Sequence, residues 1–407
     1  MDYEDEKILL PLKDSAFVRD NKAFNGLSGW VNRPGDTNAQ PQPIKSAHIV
    51  KTRRTTYRTV SWNHIIQAKN GMFIMCGSQL SIATSTTGLG DWTFQTILSG
   101  MSGTLSRVIQ TQNGMFMTIG FCSSAEFNGI RGIIATSPTG LGDWTVQNMN
   151  TIALEQGISL VEDTVRDIME SQNGMIIICG NKYVATSPTG LGNWTFQNYT
   201  GIPLTVTNMP RDIIWERIIQ AKNGLFVAVG DYFIATSPTG LGDWTFSLFY
   251  KSNLSNIFQS SNGMFIVVRG DDTWINSVYT STSENPIGTV NSLTGKMDSD
   301  SDWNRHYVVG SPNNISLMNI TQGQDGMFLI TGNNSGIATS YTATRQQDWI
   351  VQRVFVDPSS SSSWRRPIQS QNGMYFMIGN GRYVATSLTG LGGWTFQDVI
   401  YKTVTYS

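Results

Sequence analysis

The chain has 407 residues and a formal net charge of −1, and only 14% of it is charged, against roughly 25% in an ordinary soluble domain. Near-neutrality excludes a nucleic-acid binder that works through overall electrostatic attraction. A hydrophobic fraction of 40% excludes a disordered chain, and 40 glycines suit short strands joined by many tight turns.

Residues 1–7 (MDYEDEK) open acidic, without the basic start and long apolar stretch of a secretory signal. No segment approaches the ~18 apolar residues of a membrane span. Folding in a reducing cytoplasm is therefore expected, with Cys76, Cys122 and Cys179 as reduced, packed thiols. Residues 1–45 carry Gly26, Gly29, Pro34, Pro41 and Pro43 and share nothing with the rest, so they read as an extended arm and residues 46–407 as the folded body. Residues 51–58 (KTRRTTYR) are locally basic. They read as a solvated edge strand, with contact to an acidic partner as the alternative.

From residue 70 onward a turn dipeptide recurs: Asn70-Gly71, Asn113-Gly114, Asn173-Gly174, Asn223-Gly224, Asn262-Gly263, Asp325-Gly326 and Asn372-Gly373. Most of the spacings lie near the ~40–50 residues of one propeller blade, and the longest leave room for insertions. Each copy has one grammar. A β-rich run such as Arg217 to Gln220 meets Asn-Gly, which predicts a type I′ hairpin with positive φ at both central residues. An apolar run follows (residues 72–76 in the first copy), then a run ending in Ala-Thr-Ser, a Thr-Gly-Leu-Gly turn, and Trp-Thr-Phe-Gln. Four antiparallel strands per copy and seven copies predict an all-β, seven-bladed propeller with helix content near zero.

The last turn of each copy sets a serine seven residues before a tryptophan, as Ser85 to Trp92, Ser137 to Trp144, Ser187 to Trp194, Ser237 to Trp244 and Ser387 to Trp394. This resembles the Asp-box of sialidase-like propellers in a degenerate form. The family's Asp, expected two residues after the Ser, is here Thr87, Thr139, Thr189, Thr239 or Thr389. In copy six the spacing stretches from Ser340 to Trp349, and copy five has Gly288 where the Trp would stand. Asp91, Asp143 and Asp243 precede the Trp, but Asn193 and Gly393 hold the same place, which marks a turn former rather than a metal ligand. Trp92, Trp144, Trp194, Trp244, Trp349 and Trp394 read as packing between neighbouring blades.

Strand order puts the Asn-Gly and Thr-Gly-Leu-Gly turns on one rim, nearly identical from blade to blade. Length variation gathers on the other rim, at residues 121–131, 148–165, 198–215, 294–313 and 355–366. Variable loops on a constant scaffold are where propellers bind partners, so Phe127, Arg131, Asp271, Asp272 and Trp274 are the candidate binding residues.

Catalysis finds little support. A sialidase needs converging arginines, a Tyr/Glu pair and an acid. The family's Arg-Ile-Pro is absent near the start of the repeats, and Arg366-Pro367-Ile368 is only a scrambled neighbour. Carboxylates such as Glu155, Glu162, Asp163 and Glu216 lie beside the crossovers, with no pairing fixed by the sequence. Three scattered histidines (His48, His64, His306) offer no multi-histidine metal site, and no cofactor motif is present. The expectation is a non-enzymatic virion protein without cofactor or metal. In style the chain resembles bacteriophage tail and decoration propellers. Residues 1–45 would anchor it to other virion proteins, with self-association on the particle and the variable rim meeting a host glycan or protein. A carbohydrate-binding propeller is the alternative, and a sialidase-like glycosidase the less favoured third reading.

Overall fold

A computed structural model describes residues 3–11, 48–124, 129–160, 164–199, 213–269, 277–286, 303–308, 315–357, 363–379 and 381–406. It is a seven-bladed β-propeller of antiparallel four-stranded blades. Blade one is Trp62–Gln67, Phe73–Gly77, Ser81–Ser85 and Thr93–Thr96. Blade two is Ser102–Gln110, Phe116–Ser124, Gly129–Ser137 and Thr145–Asn148. Blade three is Val165–Glu170, Ile176–Gly180, Tyr183–Ser187 and Thr195–Asn198.

Blades four and five share continuous strands. Blade four opens with Trp215–Gln220, and Phe226–Ser237 fills its second and third positions. Thr245–Gln259 supplies its outer strand and then the inner strand of blade five, which continues through Phe265–Arg269, Ser277–Ser281 and Asn304–Tyr307. Blade six is Leu317–Gln322, Phe328–Gly332, Gly336–Ser340 and Ile350–Arg353. Blade seven is Trp364–Gln369, Tyr375–Gly379, Tyr383–Ser387 and Thr395–Asp398.

The core is a series of layers between blades rather than one central mass. Met117, Ile119 and Ile134 of blade two pack with Val165, Ile168, Ile176 and Trp194 of blade three. Met327 and Leu329 of blade six pack in the same way with Trp364, Tyr375 and Met377 of blade seven. Second and third strands are buried on both faces, which is why they read as unbroken apolar runs. A short helix, Met149–Glu155, follows blade two, capped by the Asn148 side chain.

The Asn-Gly turns differ from the expected type I′. Gly71 has φ +88° and its six counterparts lie between +85° and +91°, but no asparagine before them has positive φ. Gly71 N–H donates to Ala68 O at 2.9 Å, and Asn70 Oδ1 accepts from Met72 N–H at 3.1 Å. The turn therefore starts two residues earlier, as a type I turn closed by a left-handed glycine, and the asparagine serves through its side chain.

Blade seven closes on blade one without exchanging a strand. Phe376 meets Phe73 with ring centroids 4.6 Å apart, and Trp62 N–H donates to Gly381 O at 3.2 Å. The rest of the seam belongs to a circular relay of side chains. Three residues before each turn dipeptide stands Gln67, Gln110, Glu170, Gln220, Gln259, Gln322 or Gln369. Each glutamine donates to the glycine carbonyl of its own turn, and each of the seven accepts a backbone N–H from the preceding blade. The relay is completed by Gln371 N–H to Gln67 Oε1 at 2.7 Å.

The propeller unit spans Thr59–Ile400, so it begins later than the boundary read at residue 46 and ends before the last strand. Tyr3–Pro11, His48–Arg58 and Tyr401–Tyr406 make a separate three-stranded antiparallel sheet. The basic run 51–58 is thus its central strand, not an edge. Asp5 is registered opposite Arg54 and Glu6 opposite Arg53 in its backbone ladder. Residues 12–45, the rest of the expected arm, lie outside the described residues.

Candidate functional site at the propeller axis

The seven inner strands touch one another around the axis. Each carries a bulge near its start, as at Trp62/His64, Leu105/Arg107 and Val165/Asp167. A glycine faces most of these bulges because the strand before it comes too close for a side chain. A Cβ on Gly120 would sit 2.1 Å from Thr104 O, and one on Gly230 would sit 1.9 Å from Ile214 O. Blade five has Arg269 at this register position.

The bulge turns two consecutive residues, polar at all places but Met318, towards the axis. Nearer the crossover rim stand Asn63, Ser106, Arg166, Glu216, Ser255, Met318 and Arg365. Within this tier Arg166 pairs with Glu216 at 2.6 Å, and Arg365 donates to Asn63 Oδ1 at 2.7 Å. One residue deeper stand His64, Arg107, Asp167, Arg217, Asn256, Asn319 and Arg366. Asp167 is fully buried and forms the hub of this layer. Its Oδ1 pairs with Arg107, its Oδ2 lies 3.7 Å from Arg217 Nε, and it accepts from Ile168 N–H at 2.8 Å and Ile218 N–H at 2.9 Å.

Electrostatics in this layer follow from burial. Desolvation pushes the Asp167 carboxyl up, opposed by Arg107 and Arg366. Burial first, then Arg366 and Arg107, hold His64 well below the usual imidazole range. Its Nδ1 accepts from Val108 N–H at 3.2 Å, which requires that nitrogen unprotonated. The neighbouring Cys76 thiol is pushed up to about 12, mainly by burial, so it is packing rather than nucleophile. All three cysteines are buried thiols outside any disulfide.

Of the residues singled out on the variable rim, Phe127, Asp271, Asp272 and Trp274 lie outside the described residues. Arg131 is in a strand opposite Cys122. That finding corrects the loop expected at 121–131: blade two extends its central hairpin to the pair Ser124 and Gly129. The tryptophans sit between blades. Trp144 donates to Gln95 of the preceding blade at 3.2 Å, Trp194 to Gln147 at 3.0 Å, and Trp92 to Gln397 across the seam at 3.4 Å. Among the described residues, Trp244, Trp349 and Trp394 have no acceptor for the indole N–H.

Two geometries serve the serine-to-tryptophan turn. Asp91 and Asp243 accept from Ser85 and Ser237, and from Thr87 and Thr239 at 2.8 Å. Asp143, Asn193 and Gly393 instead take φ of +52°, +52° and +62°, and the serine donates to a glycine carbonyl. Left-handed backbone explains why Asp, Asn and Gly interchange there.

The axial layer was readable at one offset. Six residues before every turn dipeptide stands a polar side chain, but its type changes from blade to blade, which hides it from a search for a repeated motif.

No family model and no curated protein sequence matches this chain. Among solved structures it is similar to YCF48 bound to a D1 peptide, at 13% identity and TM-score 0.55, covering 82% of this chain and 94% of that one. YCF48 from Cyanidioschyzon merolae gives 10% identity and TM-score 0.55, over 80% and 96%. An α-L-arabinofuranosidase from Fusarium graminearum in complex with an iminosugar inhibitor gives 11% identity and TM-score 0.45, over 86% and 94%. At these identities the likeness is one of fold, which does not fix activity.

Proposed function

We propose that the chain is a non-catalytic display propeller, a structural appendage of a virus particle of the tailed-bacteriophage kind. It is held through the sheet made by its two ends and presents its crossover rim to a partner. The observation that carries this reading is that small sheet. The ring closes by its own relay and needs neither terminus, yet residues 3–11, 48–58 and 401–406 are folded together into a unit of their own. An element that the propeller does not need for closure is available for attachment.

Support for the non-catalytic part comes from the axis. Asp167 is committed to Arg107 and Arg217, and Glu216 to Arg166, so neither of these axial carboxylates is free to act as acid or nucleophile. The partner of the rim is proposed to be a host-surface or virion protein, as in the peptide complex of the structurally similar YCF48.

The test compares the full chain with a version lacking residues 1–45, by solution mass and by co-sedimentation with particles from lysates of infected host cells. The reading expects the full chain to assemble or co-sediment and the truncated chain to remain a soluble, folded monomer. Identical monomers that ignore particles would sink it, and a glycan-binding screen would then be the next experiment.

A further inference from the structure

The deeper axial layer holds more positive charge than its carboxylate can neutralise. Arg107, Arg217 and Arg366 come from blades two, four and seven, so they approach the axis from three sides. Asp167 stands between the first two: it pairs with Arg107, accepts two backbone N–H groups and lies 3.7 Å from Arg217 Nε. Three cations against one carboxylate leave two charges over. Glu216, in the tier above, is already paired with Arg166.

Unused donors mark the same place. Among the described residues, Arg107, only 4% exposed, has no acceptor for its Nε–H, and Arg217 has none for its Nε–H and an Nη1 donor, which are sealed from solvent. Its 3.7 Å approach to Asp167 is an ionic contact too long for a hydrogen bond. Arg366 is half-buried, burial and then Arg107 pull its pKa below the usual range, and among the described residues no hydrogen bond or ion pair holds its guanidinium. Its backbone is held at φ +33°, a conformation unfavourable for arginine. Pro367 follows it, so blade seven lacks the N–H that Val108 and Ile218 give to the preceding blade. A strained backbone thus brings a third guanidinium, without a hydrogen bond among the described residues, into electrostatic reach of Asp167, and the layer is short of acceptors.

We propose that this layer binds one small tetrahedral oxyanion of the phosphate or sulfate class, held by Arg366 together with the free N–H groups of Arg107 and Arg217. Two negative charges cancel the two left over. Guanidinium groups arriving from three sides match a tetrahedral acceptor better than a flat carboxylate, which one fork binds edge-on. The tier of Arg166, Glu216, Asn63 and Arg365 lies between the layer and the crossover rim, which restricts entry to a free ion rather than the phosphate of a polymer. This inference does not depend on the display reading, and either can fail alone.

The experiment is equilibrium dialysis of the full chain with radiolabelled sulfate at fixed ionic strength, with competition by phosphate, acetate and chloride. Thermal melts are run in the same buffers. One equivalent per chain is expected, displaced by phosphate and at least tenfold less well by acetate or chloride. Arg366→Gln should weaken binding at least tenfold and lose the sulfate-specific rise in melting temperature, without melting lower than the parent in chloride. Sulfate strengthens burial in any protein, so an equal rise in parent and variant would refute the site. Sub-stoichiometric uptake, or equal competition by acetate, would refute it as well. If Arg366→Gln fails to fold, Arg217→Gln in the same dialysis takes its place, and undiminished binding there overturns the proposal.

Discussion

Replacing Asp167 by Asn tests the axial layer most directly, because the side chain keeps its shape and loses only its charge. The native carboxylate faces Arg107 and Arg217 and accepts two backbone N–H groups. Asparagine can still accept from one N–H, but its amide turns two donors into a space already filled with donors. Removing one partner of a buried ion pair costs about 3–5 kcal/mol, because the other charge stays buried. With a urea m-value of about 3 kcal/mol/M for a domain of this size, the unfolding midpoint should fall by about 1 to 1.7 M. Tryptophan fluorescence reads the transition, since Trp62, Trp215 and Trp364 are wholly buried. Arg107→Met in the Asp167→Asn background should recover part of the loss, by removing a cation that has become unpaired. A loss below about 1 kcal/mol for the single variant, or no recovery in the double, would refute the hub role of Asp167.

Three further outcomes are expected. His64 resists protonation when folded, so below about pH 6.5 the unfolded chain binds a proton the folded chain refuses. Its contribution to stability is intact above that pH and is lost as pH falls, at up to ~1.4 kcal/mol per unit. His64→Asn, the residue type of blades five and six at this place, should flatten that slope in urea titrations between pH 5 and 7, and an unchanged slope would count against it. Gly230→Ala puts a Cβ 1.9 Å from Ile214 O and should cost several kcal/mol in a thermal melt. Gly224→Ala, in open space at φ +91°, should cost only about 1 kcal/mol. Asp143→Gly should stay within about 0.5 kcal/mol of the parent because its φ is +52°, whereas Asp243→Gly, which loses a carboxylate held by Ser237 and Thr239, should cost about 1–2 kcal/mol. Equal urea midpoints for those two variants would contradict the two turn geometries.

Seven turn dipeptides gave away the ring because each position needs a glycine at φ near +90°, which few other residues tolerate. Strand order and rim assignment follow from that period. The turn type did not, since Asn70 acts through its carbonyl oxygen, and backbone or side-chain use of an asparagine looks the same in a sequence. Residues 51–58 were misread as an edge because their partners, residues 3–11 and 401–406, are brought in from both ends of the chain. No local period records such a pairing. The axial layer escaped for another reason: His64, Arg107, Asp167 and Asn256 share a place but not a chemistry, and their interplay exists only once the strands are arranged in a circle.

The sheet formed by the ends has a mechanical consequence. Arg58 and Tyr401, where the chain enters and leaves the propeller unit, are register partners, and the ladder runs outward from them to Arg53 and Tyr406. Tension pulling residue 48 and residue 406 apart therefore loads the rungs one at a time from the outer end, as a zip opens, rather than shearing them all at once. Unzipping needs far less force than shear.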